Sequence, residues 1–139
     1  MRNRKAIIGT FILAVLVCSL VGFRTQIQAS ESFAEPSVIR CTVYCDQGYT
    51  KSGQWVREGI VAGKEEWLGK AAILWEVDED GSIGEFIGIY EFLDTGYGIN
   101  GSIVNGTSID VYCPSLDACW DWIGDHGDYV YLQIVDGKG

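Results

Sequence analysis

The chain has 139 residues, which is enough for one domain. It carries 19 acidic and ten basic residues in total; beyond residue 30 all 19 acidic residues remain but only six basic ones, a net charge of about −13. This charge argues against a nucleic-acid-binding protein, because phosphate binding requires clustered Lys and Arg. It also argues against binding to an anionic lipid surface.

Residues 1–29 have the features of a secretory signal. Three basic residues precede an apolar run over residues 6–23, and Arg24 follows that run. Cleavage is expected after Ala29 or Ala34. The run is longer than a usual signal core, so it could instead remain as a single membrane anchor. Residues 30–38 are polar and are predicted to be a linker to a domain over 39–137.

The domain is predicted to be mainly β. Runs of β-branched and aromatic residues are separated by Gly, Asn and Asp turn signals, and the Asp-Gly step at 80–81 predicts a hairpin. Many short strands with frequent turns favour a small closed barrel. The predicted strands are 38–44, 59–62, 71–77, 83–92, 109–112 and 129–135.

One helix is predicted, over residues 114–123. Ser115 is the expected N-cap and Gly124 the expected stop. An inward stripe is predicted from Leu116, Cys119, Trp120 and Ile123. Of Trp120 and Trp122, at most one should face the core, because they lie on different faces of the helix.

Four cysteines lie beyond the signal. An even number of cysteines in a small exported domain predicts two disulfides, and a zinc site is the weaker alternative because the spacings are loose and His126 is the one histidine. If Cys41 and Cys45 share an extended strand, they lie too far apart to bridge each other. Bridges from the first strand to the Cys113–Cys119 region are therefore favoured.

Asp110 is the most informative residue for function. It lies between Ile109 and Val111 in a strand, where Asp is depleted. A carboxylate in such a position is either hydrogen-bonded for a structural purpose or kept for chemistry with a shifted pKa. Asp94, in an Asp-Thr-Gly turn, is the candidate partner, or else an Asx-turn residue.

Five motifs follow one another along the chain. They are TKSG at 50–53, VREGIVA at 56–62, DTG at 94–96, IDVY at 109–112 and a helix containing Cys119 and Trp120. No single motif is specific, but their order resembles that of the three-aspartate (3D) domain of bacterial cell-wall proteins and of membrane-bound lytic transglycosylase A. The resemblance covers residues 39–135 and implies a six-stranded double-psi β-barrel related to that of expansins.

The resemblance implies a lytic transglycosylase of peptidoglycan. Such an enzyme cleaves the β-1,4 bond between N-acetylmuramic acid and N-acetylglucosamine and leaves a 1,6-anhydro end. Asp110 would be the general acid and base, and Asp94 the second carboxylate. No cofactor or metal is implied, the partner is a peptidoglycan glycan strand, and a secreted or wall-associated monomer is expected. The implied substrate-binding residues are Thr50, Gly96, Tyr97 and Trp120.

The sequence departs from the family pattern at two places. The first of the three aspartates is missing, with Lys64 near its place, and the loop between Asp94 and Asp110 is about five residues longer than the family pattern, a change that costs little stability. These departures leave a second interpretation open: a non-catalytic wall-binding or structural module on the same barrel. A small secreted inhibitor or toxin is a third, supported only by size and cysteines.

Overall fold

The computed structural model describes residues 34–137. The predicted signal or anchor lies outside the described residues. Between residues 34 and 137, the structure contains no helix with the length and hydropathy of a membrane span. The strands are β1 (Ser37–Tyr44), β2 (Ile60–Ala62), β3 (Ala71–Val77), β4 (Ile83–Asp94), β5 (Ser108–Tyr112) and β6 (Tyr129–Val135), and the helix α1 is Leu116–His126.

The six strands form a closed barrel in the order β1-β5-β2-β4-β3-β6. Two pairings, β1 with β5 and β2 with β4, are parallel, and the other four are antiparallel. Both parallel pairs join strands that are distant in sequence, as is consistent with a double-psi barrel. The predicted fold class, a mainly β six-stranded barrel with one short helix, is confirmed.

The barrel interior is filled by alternate residues of the strands. Side chains of a strand point to opposite faces in turn, so Ile109 and Val111 of β5 face inward together with Val61 and Phe92. All four are essentially inaccessible to solvent. Burial of each such side chain stabilises the fold by about 1.5–3 kcal/mol, which fixes the register of the strands and hence the direction of the residues between them.

A second apolar cluster lies on the opposite face of the same strands. Ile60, Leu93 and Tyr112 pack there with Val56, which comes from the segment between β1 and β2. The segment 45–59 therefore contributes to a cover over the outer face of β1, β5, β2 and β4. The outward-facing residues of these strands, Asp110 among them, alternate with the inward-facing ones and lie beneath or beside this cover.

Helix α1 differs from its prediction in its end and in its inward face. Ser115 caps it as predicted, accepting a hydrogen bond from the Ala118 N–H at 3.1 Å, but the helix continues past Gly124 to His126 and ends at Gly127, whose φ of 71° favours glycine. The inward stripe was predicted wrongly except for Cys119. Leu116, Trp120 and Ile123 are exposed.

The side chains that attach α1 to the barrel are aromatic. Trp122 packs against the interior cluster and contacts the rings of Tyr90 and His126. His126 Nδ1 pairs with a Glu76 carboxylate oxygen on β3, and both side chains are mostly buried. Of the two helix tryptophans, one faces the core, as predicted.

Candidate functional site

The two predicted carboxylates lie in one row across four strands. In the strand register, Thr42 of β1 is paired with Asp110 of β5, Asp110 with Ala62 of β2, and Ala62 with Asp94 of β4. Neighbouring strands are about 4.8 Å apart, so the two aspartates are two strand spacings apart, with the small Ala62 side chain between them. They face the same side of the sheet, away from the barrel interior.

A β-bulge gives Asp94 this direction. The register of β2 with β4 passes from Val61–Phe92 to Ala62–Asp94, so Leu93 is the extra residue on β4. Without it, strict alternation would turn Asp94 toward the interior side, on which Phe92 lies. The bulge instead allows Leu93 to pack in the outer cluster and Asp94 to face the cleft.

The row of carboxylates lines an open cleft of about 300 Å³. Its walls come from the outer face of β1, β2, β4 and β5 and from the segment that follows β1. The charged side chains in the lining are all acidic: Asp46, Asp94 and Asp110. The complete lining consists of Tyr44, Asp46, Gln47, Gly48, Tyr49, Val56, Ala62, Asp94, Thr95, Gly96 and Asp110.

Asp110 has the electrostatics of a general acid. The pKa of its carboxyl is raised to about 6, mainly by burial; the hydrogen bond from Thr42 lowers it, and the charges of Asp46 and Asp94 raise it. That hydroxyl donates to Asp110 Oδ1 at 3.0 Å. A carboxyl with this pKa is partly protonated near neutral pH, and it can therefore both give and take a proton.

Asp94 is held differently, as a fixed acceptor. Its Oδ1 accepts backbone N–H bonds from Lys51 and Thr95, both at 3.0 Å, and its Oδ2 accepts the Tyr44 hydroxyl at 3.0 Å. Burial and the Asp94 charge raise the pKa of Tyr44, so the phenol keeps the proton that it donates. Three donors from three different residues fix the orientation of this carboxylate.

Asp46 is a cleft residue that the sequence analysis missed. It is exposed at the cleft edge, and of the two neighbouring carboxylates it raises the pKa of Asp110 more than Asp94 does. The signal was present in the sequence. Thr42, Tyr44 and Asp46 continue the period-2 spacing of β1 past the end of the strand, and that spacing places them on one face.

The predicted substrate-binding residues separate into two groups. Gly96 lines the cleft. Thr50 is buried, and its hydroxyl shares a hydrogen bond with that of Ser52 at 2.8 Å, so it is placed to hold the segment rather than to meet a ligand. Tyr97 and Trp120 are exposed, but neither lines the cleft, and Trp120 lies on α1.

The two departures from the family pattern do not close the cleft. Lys64 is not among the lining residues, and its ammonium lies 3.9 Å from a Glu66 carboxylate oxygen. The long loop folds on itself, with Ile103 buried and its N–H donating to the Tyr97 carbonyl at 3.1 Å. Only Thr95 and Gly96, at its start, reach the cleft.

The four cysteines are free thiols in this structure. Burial raises the pKa of the Cys119 thiol, and the neighbouring thiols of Cys113 and Cys45 also influence it, while Cys41 belongs to the interior cluster. The predicted disulfides stay a prediction, and Cys45, Cys113 and Cys119 are neighbours of one another. In the part of the chain that the structure describes, no three His, Cys, Asp or Glu side chains form a group that could hold a metal ion.

Comparisons with known proteins assign this chain to no family. No protein-family model matches the sequence, so the resemblance to the three-aspartate domain is not confirmed. No curated protein matches it either. Among solved structures, the Streptomyces papain inhibitor is similar at 16% sequence identity and a TM-score of 0.44, over 76% of this chain and 97% of that one.

Proposed function

We propose that the cleft is the active site of a glycan-cleaving enzyme, a lytic transglycosylase that acts on peptidoglycan outside the cell. One observation carries the proposal: Asp110, a carboxyl whose pKa burial raises to about 6, lines an open cleft together with Asp94, a carboxylate held by three donors. A pair of carboxyl groups in different environments is the arrangement that most enzymes use to cleave glycosidic bonds.

The proposed reaction uses no water. Protonated Asp110 gives its proton to the glycosidic oxygen as the bond from that oxygen to the anomeric carbon breaks. The anionic Asp94 stabilises the positive charge that develops on the sugar. The 6-hydroxyl of the same sugar then attacks the anomeric carbon, and its proton returns to Asp110. The products are a free 4-hydroxyl on one sugar and a 1,6-anhydro ring on the other.

The acidity of the cleft supports a neutral rather than an anionic group at the cleavage point. Asp46, Asp94 and Asp110 line it, and the lining includes no Lys or Arg side chain among the described residues. The extracellular location and the wall substrate rest on the predicted signal and on the family resemblance, and they are part of the proposal.

Digestion of purified peptidoglycan by the full chain, with mass spectrometry of the soluble fragments, tests the proposal. Anhydro-muropeptides are expected from the natural protein and are expected to vanish with Asp110→Asn. Asp121→Asn, a matched change at an exposed carboxylate on α1, should release the same fragments as the natural protein.

Two results would overturn the proposed reaction. Fragments with hydrated reducing ends would show a hydrolase, with water as the acceptor. Absence of fragments, with the protein sedimenting on the wall, would show the non-catalytic binding module instead.

A further inference from the structure

The segment between β1 and β2 carries a small rigid hairpin beside the acidic cleft. Tyr49 and Trp55 form an isolated antiparallel bridge. Backbone N–H groups close the hairpin on both sides of the bridge, from Thr50 to the Gln54 carbonyl at 2.8 Å and from Val56 to the Gly48 carbonyl at 2.9 Å. The backbone under both aromatic residues is therefore fixed.

The hairpin is attached to the same strand that carries Asp94. The Lys51 N–H donates to Asp94 Oδ1, and the Ser52 N–H donates to the Leu93 carbonyl at 3.1 Å. Val56, at the base of the hairpin, is buried in the outer cluster. The distance between the aromatic pair and the cleft carboxylates is thus set by hydrogen bonds and packing in the free protein.

The two rings are left outside this packing. Tyr49 is 78% exposed and Trp55 54% exposed, and the rings meet edge to face with their centroids 5.1 Å apart. Tyr49 also lines the cleft; Trp55 does not, but its ring contacts that of Tyr49. Large aromatic side chains on an ordered surface, next to a polar cleft, are typical of a binding site and not of core packing.

The chemistry of the pair and of the cleft selects the ligand. An aromatic face packs well on the C–H face of a pyranose ring, and the polar edges of Tyr and Trp can bond its hydroxyls. The carboxylates of Asp46 and Asp94 accept from hydroxyls and repel anions. A neutral saccharide meets both requirements, whereas a phosphorylated or anionic ligand does not.

We infer that Tyr49 and Trp55 form a saccharide-binding subsite, which holds one pyranose ring of a neutral β-1,4-linked glycan next to the bond that Asp110 cleaves. This inference rests on the proposed function for the identity of the glycan. The subsite itself is tested by binding alone, without cleavage.

The experiment is a calorimetric titration of the full chain with chitotetraose, a soluble neutral β-1,4 tetramer of N-acetylglucosamine. Every protein in the series carries Asp110→Asn, so that the probe stays intact. Trp55→Ala is expected to weaken binding about tenfold, which corresponds to about 1.4 kcal/mol, and Trp55→Phe to retain part of the affinity. Tyr49→Ala keeps the test valid if Trp55→Ala does not fold.

The matched control is Phe86→Ala. Phe86 is 59% exposed on β4 and also makes an edge-to-face pair, with Trp75, but it does not line the cleft. Its removal should leave affinity unchanged. The inference is overturned if chitotetraose does not bind, or if Phe86→Ala weakens binding as much as Trp55→Ala. If the protein with its natural Asp110 releases no glycan fragments, while chitotetraose binds and Trp55→Ala weakens that binding, the proposed function is overturned and the subsite stays in place.

Discussion

Replacement of Asp110 by Asn should stabilise the protein at neutral pH and not in acid. In the folded protein burial raises the pKa of this carboxyl from 3.8 to about 6. Between these values the folded state binds more protons than the unfolded state, so its stability falls as pH rises. Above about pH 6 the folded state carries the whole cost of the ionised, buried carboxylate. The interval between the two pKa values corresponds to a cost of at most about 3 kcal/mol.

The asparagine variant has no such penalty, because its amide does not ionise. The difference in free energy of unfolding, variant minus natural protein, should therefore be larger at pH 7.5 than at pH 4. The expected increase is about 1–3 kcal/mol, a range that allows for water reaching this half-buried group. Urea denaturation of the full chain at the two pH values measures this difference. Any pH-independent effect of the lost carboxylate cancels in the comparison.

Asp94→Asn is the companion change. Its carboxylate accepts three hydrogen bonds, so an amide, which offers one oxygen, should lower the stability by about 1–3 kcal/mol at pH 7.5.

The reasoning for Asp110 is refuted if Asp110→Asn lowers stability equally at both pH values. Asp110 would then be a structural acceptor for Thr42 and not a carboxyl kept under strain for chemistry.

Three further predictions follow from single contacts. Thr42→Val removes the donor to Asp110 and should raise the pKa of that carboxyl from about 6 to about 7 in a carbon-13 NMR titration, while Thr42→Ser should leave it unchanged. Gly98→Ala should lower the free energy of unfolding by about 2 kcal/mol or more, because φ is 74° and a Cβ would lie 2.8 Å from the Ile103 backbone nitrogen. The control Gly53→Ala, at φ 86° with no atom near the added Cβ, should lower the free energy of unfolding by about 1 kcal/mol. Burial raises the pKa of the Cys41 thiol to about 12, so iodoacetamide at pH 8 should alkylate it only after unfolding, as peptide mass mapping would report.

The sequence was sufficient for the local features of this protein. Runs of β-branched and aromatic residues between turn signals predicted the strands and a small closed barrel, and the resemblance to the three-aspartate domain implied six strands. Ser115 was recognised as a cap because its hydroxyl meets a backbone N–H three residues away. Asp110 was recognised because Asp is depleted in strands; its neighbours Ile109 and Val111 face inward in the structure, which leaves the carboxylate on the other side.

Contacts between distant segments were beyond the reach of the sequence. The inward face of α1 was mispredicted because apolar character alone cannot show which side meets the barrel, and Trp122 with His126 makes that contact. The position of the hairpin with Tyr49 and Trp55 beside the cleft likewise depends on a contact between distant segments, the hydrogen bond from the Lys51 N–H to Asp94.

The sequence alone thus determined where strands and turns lie and which residues share a face, because these depend on local backbone geometry and on the period of two. The tertiary structure decided which faces meet. Asp110 and Asp94 share a cleft because Ala62, from a third segment, pairs with both of them, and a bulge turns Asp94 outward. Asp46 joins them only because β5 pairs with β1. Such pairings depend on the closure of the whole barrel, in which each register is fixed by interior packing from all six strands.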